Sequence, residues 1–139
     1  MVESKEKILT ACNAACKNTL METLEIEFID VSENVLVAKM PVNSRVHQPD
    51  ALLHGGASVA LAETVGSAAA FVFSENADVK IRVIEIAANH VKSVKSGFVF
   101  ATATVLHKGK TTQLWQIKVE NEDKELVSVV KLTTISLYK

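Results

Sequence analysis

A run of small and apolar residues from His54 to Phe73 constrains the fold of this chain more than any other segment. The run has the length of a long helix, and it carries one carboxylate, Glu63, near its middle. A segment of about 20 residues could span a bilayer, but a carboxylate at the centre of a membrane helix costs roughly 2.5–3.5 kcal/mol. We therefore predict a buried helix inside a soluble domain, in which the carboxylate must be hydrogen-bonded or lie at a cleft.

Length and composition predict one globular domain that covers residues 1–139. The chain is 48% hydrophobic and 22% charged, which is within the globular range. A net charge of -1 gives no general attraction to nucleic acid or to an anionic membrane, so we expect neither as a partner. The mixed charges of the first residues do not resemble a secretory signal, which favours a cytoplasmic protein.

The two cysteines do not indicate a metal site. Cys12 and Cys16 lie four residues apart in a segment with helical spacing, and the chain has no further cysteine to complete a zinc set. We expect both to be reduced and partly buried, and we expect no metal.

Hydrophobic periodicity predicts the remaining elements. An amphipathic helix is expected from Ser4 to about Met21, with Ser4 as its N-cap. Six strands are expected: a hairpin of 24–28 and 35–40, then 81–91, 98–107, 113–120 and 126–137, the last four as consecutive strands of a meander. The sum is an α+β fold: an antiparallel six-stranded curved sheet around one long central helix, with a short N-terminal helix.

The start of the long helix has the features of an oxyanion site. If the helix begins near Gly55, its first N–H groups are free and lie at the positive end of the helix dipole. Gln48 and His54 lie on the approach to them and can add donors to a substrate carbonyl. Glu63 and Ser67 share a helix face, and a carboxylate there suits a nucleophile or a general base as well as an ion pair.

Helix geometry separates these two groups within one chain. Glu63 lies about 12 Å along the helix from Gly55, at ~1.5 Å per residue. Two antiparallel copies related by a two-fold axis could bring Glu63 of each chain to the Gly55 end of the other. The spacing therefore predicts a homodimer with shared active sites.

Three segments together resemble a known family. They are Val46-His47-Gln48-Pro49, Leu53-His54-Gly55-Gly56-Ala57-Ser58 and Leu61-Ala62-Glu63-Thr64-Val65-Gly66-Ser67. They are similar to hotdog-fold acyl-CoA thioesterases of the phenylacetate-degradation and 1,4-dihydroxy-2-naphthoyl-CoA hydrolase type. The resemblance implies hydrolysis of an acyl-CoA thioester without a metal. No separate cofactor is expected, because CoA is part of the substrate.

The resemblance also implies roles for single residues. The Gly55 N–H would polarise the thioester carbonyl, and Gln48 and His54 would position it. Glu63 of the partner would act as nucleophile or general base, and Ser67 would orient the attacking water. The family commonly forms dimers of dimers, so a homotetramer is expected.

The coenzyme is expected to contact residues of two turns. By the same resemblance, the candidates are His90, Lys92, Lys95, Lys108, Gly109 and Lys110. The lysines could neutralise phosphate oxygens as point charges, or they could be ordinary solvated turn residues. Naphthoyl-CoA enzymes tend to carry two histidines and an arginine where this chain has His90-Val91-Lys92. The acyl group, aromatic or medium-chain, therefore stays open.

Two other functions remain compatible with the sequence. A hotdog hydratase or dehydratase would need a histidine with a carboxylate close by, and its hydroxyacyl-CoA product would distinguish it. A non-catalytic acyl-CoA sensor would use the same pocket. Such sensors generally carry an added DNA-binding helix pair, for which residues 1–23 are too short.

Overall fold

The computed structural model describes residues 4–138, so residues 1–3 and Lys139 of the predicted domain lie outside the described range. The helices are α1 (Lys5–Ala15), α2 (Leu20–Thr23) and α3 (Gly55–Val72), with a 3-10 turn at Ser44–Val46. The strands are β1 (Glu27–Ser32), β2 (Val35–Val42), β3 (Lys80–His90), β4 (Gly97–Lys108), β5 (Thr112–Glu120) and β6 (Leu126–Leu137).

The six strands form one antiparallel sheet that wraps around α3, which confirms the predicted architecture. By length and composition α3 could cross a membrane. In this fold it is the central helix, and Leu61 and Val65 are fully buried. The small residues allow a close approach: a Cβ added at Gly66 would lie 2.8 Å from Leu132 of β6 and 3.1 Å from Ile117 of β5.

The strand order corrects the predicted four-strand meander. The order is β1-β2-β4-β5-β6-β3, so β3 lies at the far edge beside β6 and does not pair with β4. Residues 91–96, which follow β3, cross the end of β6, where the Val91 N–H donates to the Val127 carbonyl at 2.8 Å. Local alternation identified each strand, but the pairing of β3 depends on contacts distant in sequence.

The N-terminal region is also interrupted where one helix was predicted. Ser4 caps α1 as expected, but α1 ends at Ala15, and Asn18 has a φ of 62°. Thr19 then caps the separate helix α2 by accepting from the Met21 N–H. The first strand begins at Glu27 and not at residue 24, because Glu25 has a φ of 58°, which is incompatible with an extended strand.

Asn13 joins α1 to the outer edge of the sheet. Its side-chain amide donates to the Phe28 carbonyl at 3.0 Å and accepts from the Phe28 N–H at 2.8 Å. The amide therefore replaces the missing strand partner of β1 at this point. Lys5 of α1 pairs with Asp30 of β1, and the hydrogen bond from Lys5 lowers the pKa of Asp30. Together these contacts cover an edge that would otherwise be open to pairing.

Replacing Asn13 with alanine is expected to lower the free energy of unfolding by about 1–3 kcal/mol. The reason is that the substitution leaves a backbone donor and acceptor of Phe28 without partners in a partly buried site. Urea denaturation followed by circular dichroism measures the change. Thr10→Ala on the same helix is the control, since Thr10 is exposed and should change stability by less than about 0.5 kcal/mol. Equal stabilities of the two variants would contradict the edge-capping role.

Candidate active site

The first N–H groups of α3 are satisfied unequally. His54 is the N-cap, and its Nδ1 accepts from the Gly56 N–H at 2.7 Å. The N–H groups of Ala57 and Ser58 donate to the His54 carbonyl at 2.9 and 3.2 Å. The Gly55 N–H has no acceptor within residues 4–138. One donor at the positive end of the helix dipole is therefore available to a ligand oxygen.

The His54 side chain caps the start of α3. Because its Nδ1 accepts the Gly56 N–H, the neutral ring carries its proton on Nε2. Its imidazole is exposed, so this Nε2–H can still donate outside the helix. The predicted role toward a substrate carbonyl therefore stays a prediction, and it involves Nε2 alone.

The loop that carries Gln48 is held by the segment after β3. Nε2 of His47 donates to the Lys95 carbonyl at 2.9 Å, and the Leu53 N–H donates to the Val94 carbonyl at 2.8 Å. These bonds fix the loop that carries half-buried Gln48 and leads into α3. Sequence reasoning missed His47, because nothing in the local sequence indicates a partner 48 residues away.

Glu63 lies on an open face of α3. The side chain is exposed, which corrects the prediction that the whole helix is buried. It borders a cavity of about 1400 Å³ between α1 and α3, here called the α1–α3 groove. Ser67 and Gly56 border the same groove, so Glu63 and Ser67 share a face as predicted. Most of the groove wall is apolar and includes Ile8, Cys12, Met21, Val59, Ala60 and Phe71.

The predicted coenzyme contacts lie at opposite ends of α3. His90 is at the end of β3 and lies against Gly55, and Lys92 and Lys95 follow it. Lys108 lies at the other end of the sheet, where its Nζ donates to the Phe73 carbonyl at the end of α3. A cation at this position stabilises the helix, because it interacts favourably with the negative end of the helix dipole. Since α3 has 18 residues, about 27 Å separates its two ends.

Two of the lysines have structural partners. Lys92 lies 3.4 Å from Glu125, and the hydrogen bonds of Asn121 and then Lys92 lower the pKa of Glu125. The Lys108 ammonium is hydrogen-bonded to the Phe73 carbonyl at the end of α3. Lys110 and Gly109 form the adjacent β4–β5 turn. A phosphate would have to compete with Glu125 for Lys92. The Lys95 carbonyl accepts a hydrogen bond from His47 in the Gln48 loop, and the Lys95 side chain is exposed.

Both cysteines are free thiols. The Cys16 thiol donates to the Cys12 carbonyl at 3.4 Å, and burial raises the pKa of both thiols. Within residues 4–138 no three His, Cys, Asp or Glu side chains come together as a possible metal site.

The chain is similar to proteins of one enzyme family. The sequence model of the Thioesterase superfamily matches residues 51–128, from the loop before α3 into β6. The chain belongs to the thioesterase superfamily. It is similar to the 1,4-dihydroxy-2-naphthoyl-CoA hydrolase of Escherichia coli, with 40% identity over 99% of this chain and 100% of the relative. It is also similar to the proofreading thioesterase EntH of Cronobacter turicensis, with 38% identity over 96% and 97% of the two chains.

Solved structures of the thioesterase superfamily show the same fold. The crystal structure of a thioesterase from Haemophilus influenzae superimposes with a TM-score of 0.90 at 39% identity, over 94% of this chain and 90% of that chain. The fold is therefore the predicted hotdog fold, and the protein is an enzyme of the thioester hydrolase class. The part of the chain that matches the superfamily contains Gly55, Glu63, Ser67 and His90, whereas Gln48 lies before it.

Proposed function

We propose that this enzyme hydrolyses cytoplasmic acyl-CoA thioesters with an aromatic or medium-chain acyl group. One observation carries the proposal: α3 offers the Gly55 N–H, which has no acceptor among residues 4–138, and it offers an exposed carboxylate, Glu63, in an apolar groove. A carbonyl oxygen needs the first group, and its attack needs the second. The Escherichia coli relative, by its name, acts on a CoA thioester, which supports the same substrate class.

The reaction follows from these positions. The thioester carbonyl accepts from the Gly55 N–H, with Gln48 and His54 as further donors. Glu63 either removes a proton from a water held by Ser67 or attacks the carbonyl carbon directly. In both cases a carbon–oxygen bond forms, the carbon–sulfur bond breaks, and CoA leaves as a thiolate that takes up a proton. On the direct route, water then cleaves the mixed anhydride to release the acid and restore Glu63.

Glu63 and Gly55 serve different sites in this proposal, because one helix cannot bring them together. The second copy pairs at β3. This strand has 11 residues, and its outer edge meets no other strand within residues 4–138. A long open edge is a template for pairing. Exposed Ile84 lies on it, and exposed Phe71 borders the nearby groove.

Antiparallel pairing of β3 with its copy gives the geometry that the reaction needs. The two-fold axis that relates the strands also makes the two α3 helices antiparallel, so Glu63 of one chain approaches Gly55 of the other. Arg82 and Glu85 have opposite charges on β3, so the arrangement can bring each to its counterpart on the other chain. The dimer of dimers implied by the family resemblance would assemble from this unit.

Mixing two inactive variants is expected to restore activity if the site is shared. Glu63→Ala and Gln48→Ala subunits, exchanged at equal amounts, should reach about a quarter of the wild-type rate, because half of the dimers are mixed and each has one intact site of two. The measurement is CoA release before and after subunit exchange. Glu63→Ala mixed with the double variant is the control and should stay inactive. A rate equal to the mean of the two separate variants would contradict the shared site.

The activity itself is tested by adding benzoyl-CoA, hexanoyl-CoA and an enoyl-CoA to the wild-type enzyme with a thiol reagent. Release of free CoA from the first two supports the proposal, and the ranking by kcat/KM identifies the acyl group. A hydroxyacyl-CoA product from the enoyl substrate, without CoA release, would establish a hydratase. Binding without any product would establish an acyl-CoA sensor.

A further inference from the structure

His90, at the end of β3, is in contact with the first residue of α3. A Cβ added at Gly55 would lie 2.9 Å from Nε2 and 3.0 Å from Cδ2 of the His90 ring. These distances are too short for a real side chain, so the ring occupies the space that glycine leaves open. The imidazole therefore lies beside Gly55, whose N–H has no acceptor in the described part of the chain.

Ser128 orients this ring. Its Oγ lies 2.7 Å from Nδ1 of His90, and the two residues are directly paired across β3 and β6. Ser128 is fully buried, and within residues 4–138 this is its only side-chain hydrogen bond. When the serine hydroxyl donates to Nδ1, the neutral ring carries its proton on Nε2. That nitrogen is the one next to Gly55.

We propose that His90 is a further donor to the thioester carbonyl oxygen, directly beside the Gly55 N–H, and that Ser128 is its positioning residue. The inference rests on the proposed thioesterase function. It differs from the phosphate contact that the family resemblance implies for His90. In CoA the phosphates are separated from the thioester by the whole pantetheine arm, so one imidazole beside Gly55 serves the carbonyl end. Donors that converge on one oxygen stabilise its negative charge in the transition state more than in the substrate.

A substrate without phosphates separates the two roles. We compare an acyl-CoA with the same acyl group on N-acetylcysteamine, which keeps the thioester and lacks the nucleotide. His90→Phe keeps a ring against Gly55 but has no donor, and it should lower kcat about 10²-fold with both substrates. His90→Gln restores an N–H and should recover to within about 10-fold of wild type, which a folding defect would not do. Lys92→Ala is the control and should raise KM for the acyl-CoA alone.

The results that overturn the proposal are equally distinct. A loss confined to the acyl-CoA would assign His90 to the phosphates, and no loss with either substrate would remove it from the site. Nitrogen NMR of the histidine rings should show His90 as the Nε2–H tautomer in the wild type and as a tautomer mixture in Ser128→Ala. The Nδ1–H tautomer in the wild type would overturn the donor role. If the wild type releases thiol from neither substrate, the thioesterase function itself fails, and this inference fails with it.

Discussion

Replacing Glu63 with alanine is expected to lower kcat by at least about 10³-fold while acyl-CoA binding stays largely unchanged. The substitution removes the group that attacks the carbonyl or activates water, a contribution of roughly 10²–10⁴-fold for acid–base catalysis alone. It leaves the apolar wall of the α1–α3 groove intact. Steady-state CoA release gives kcat, and calorimetric titration of the variant with acyl-CoA gives binding.

The matched control is Glu75→Ala. Glu75 is an exposed glutamate that borders the same groove beyond the end of α3, and its removal should change kcat by less than about 2-fold, because surface carboxylates away from the reacting atoms contribute little. Turnover close to wild type in Glu63→Ala would remove Glu63 from the mechanism. A single turnover in oxygen-18 water can then establish the direct route: unlabelled acid arises only if water attacks a mixed anhydride on the Glu63 carbon.

Replacing Trp115 with alanine is expected to lower the free energy of unfolding by about 3–5 kcal/mol, the usual range for an aromatic residue removed from a core. Trp115 is fully buried between the sheet and α3. Its ring stacks with Phe73 at a centroid distance of 6.1 Å, and its Nε1–H donates to Oε1 of Gln113 at 2.8 Å. The variant loses these contacts and leaves buried Gln113 without its donor.

Guanidinium unfolding followed by circular dichroism measures this effect, since Trp115 is the only tryptophan and fluorescence would vanish with it. Trp115→Phe is the control: it keeps a ring for Phe73 and should recover about half of the loss. A loss below about 1 kcal/mol in Trp115→Ala would show that the core closes around the cavity. A stability of about 5–15 kcal/mol is typical of a domain, so the expected loss is a large share of the total.

Local patterns predicted the elements well. Alternation predicts β6 at 126–137, and an apolar run of helical length predicts the long helix at 54–73. The structure has β6 at Leu126–Leu137 and α3 at Gly55–Val72. Such patterns reflect which face of each element is buried, and the burial of alternate residues in β5 confirms this. The interruption at Asn18 was missed, since a single residue with positive φ leaves the apolar spacing around it unchanged.

The candidate site was predicted in part for the same reason. Gly55, Glu63 and Ser67 lie on one helix, so helix geometry alone relates them. The contact of His90 with Gly55 joins residues 35 positions apart, and only the packing of β3 against the start of α3 brings them together. His47 and Ser128 were not predicted either, because the partner of each lies in a distant segment.

The sequence by itself determined the central helix, the six strands and the separation of Glu63 from Gly55, because each depends on spacing along one element. Only the tertiary structure decided that β3 lies at an open edge, that Glu63 is exposed in a single chain, and that His90 is adjacent to Gly55. The physical reason is that strand order and side-chain neighbours depend on which surfaces the whole chain buries together, and spacing along one element carries no information about them.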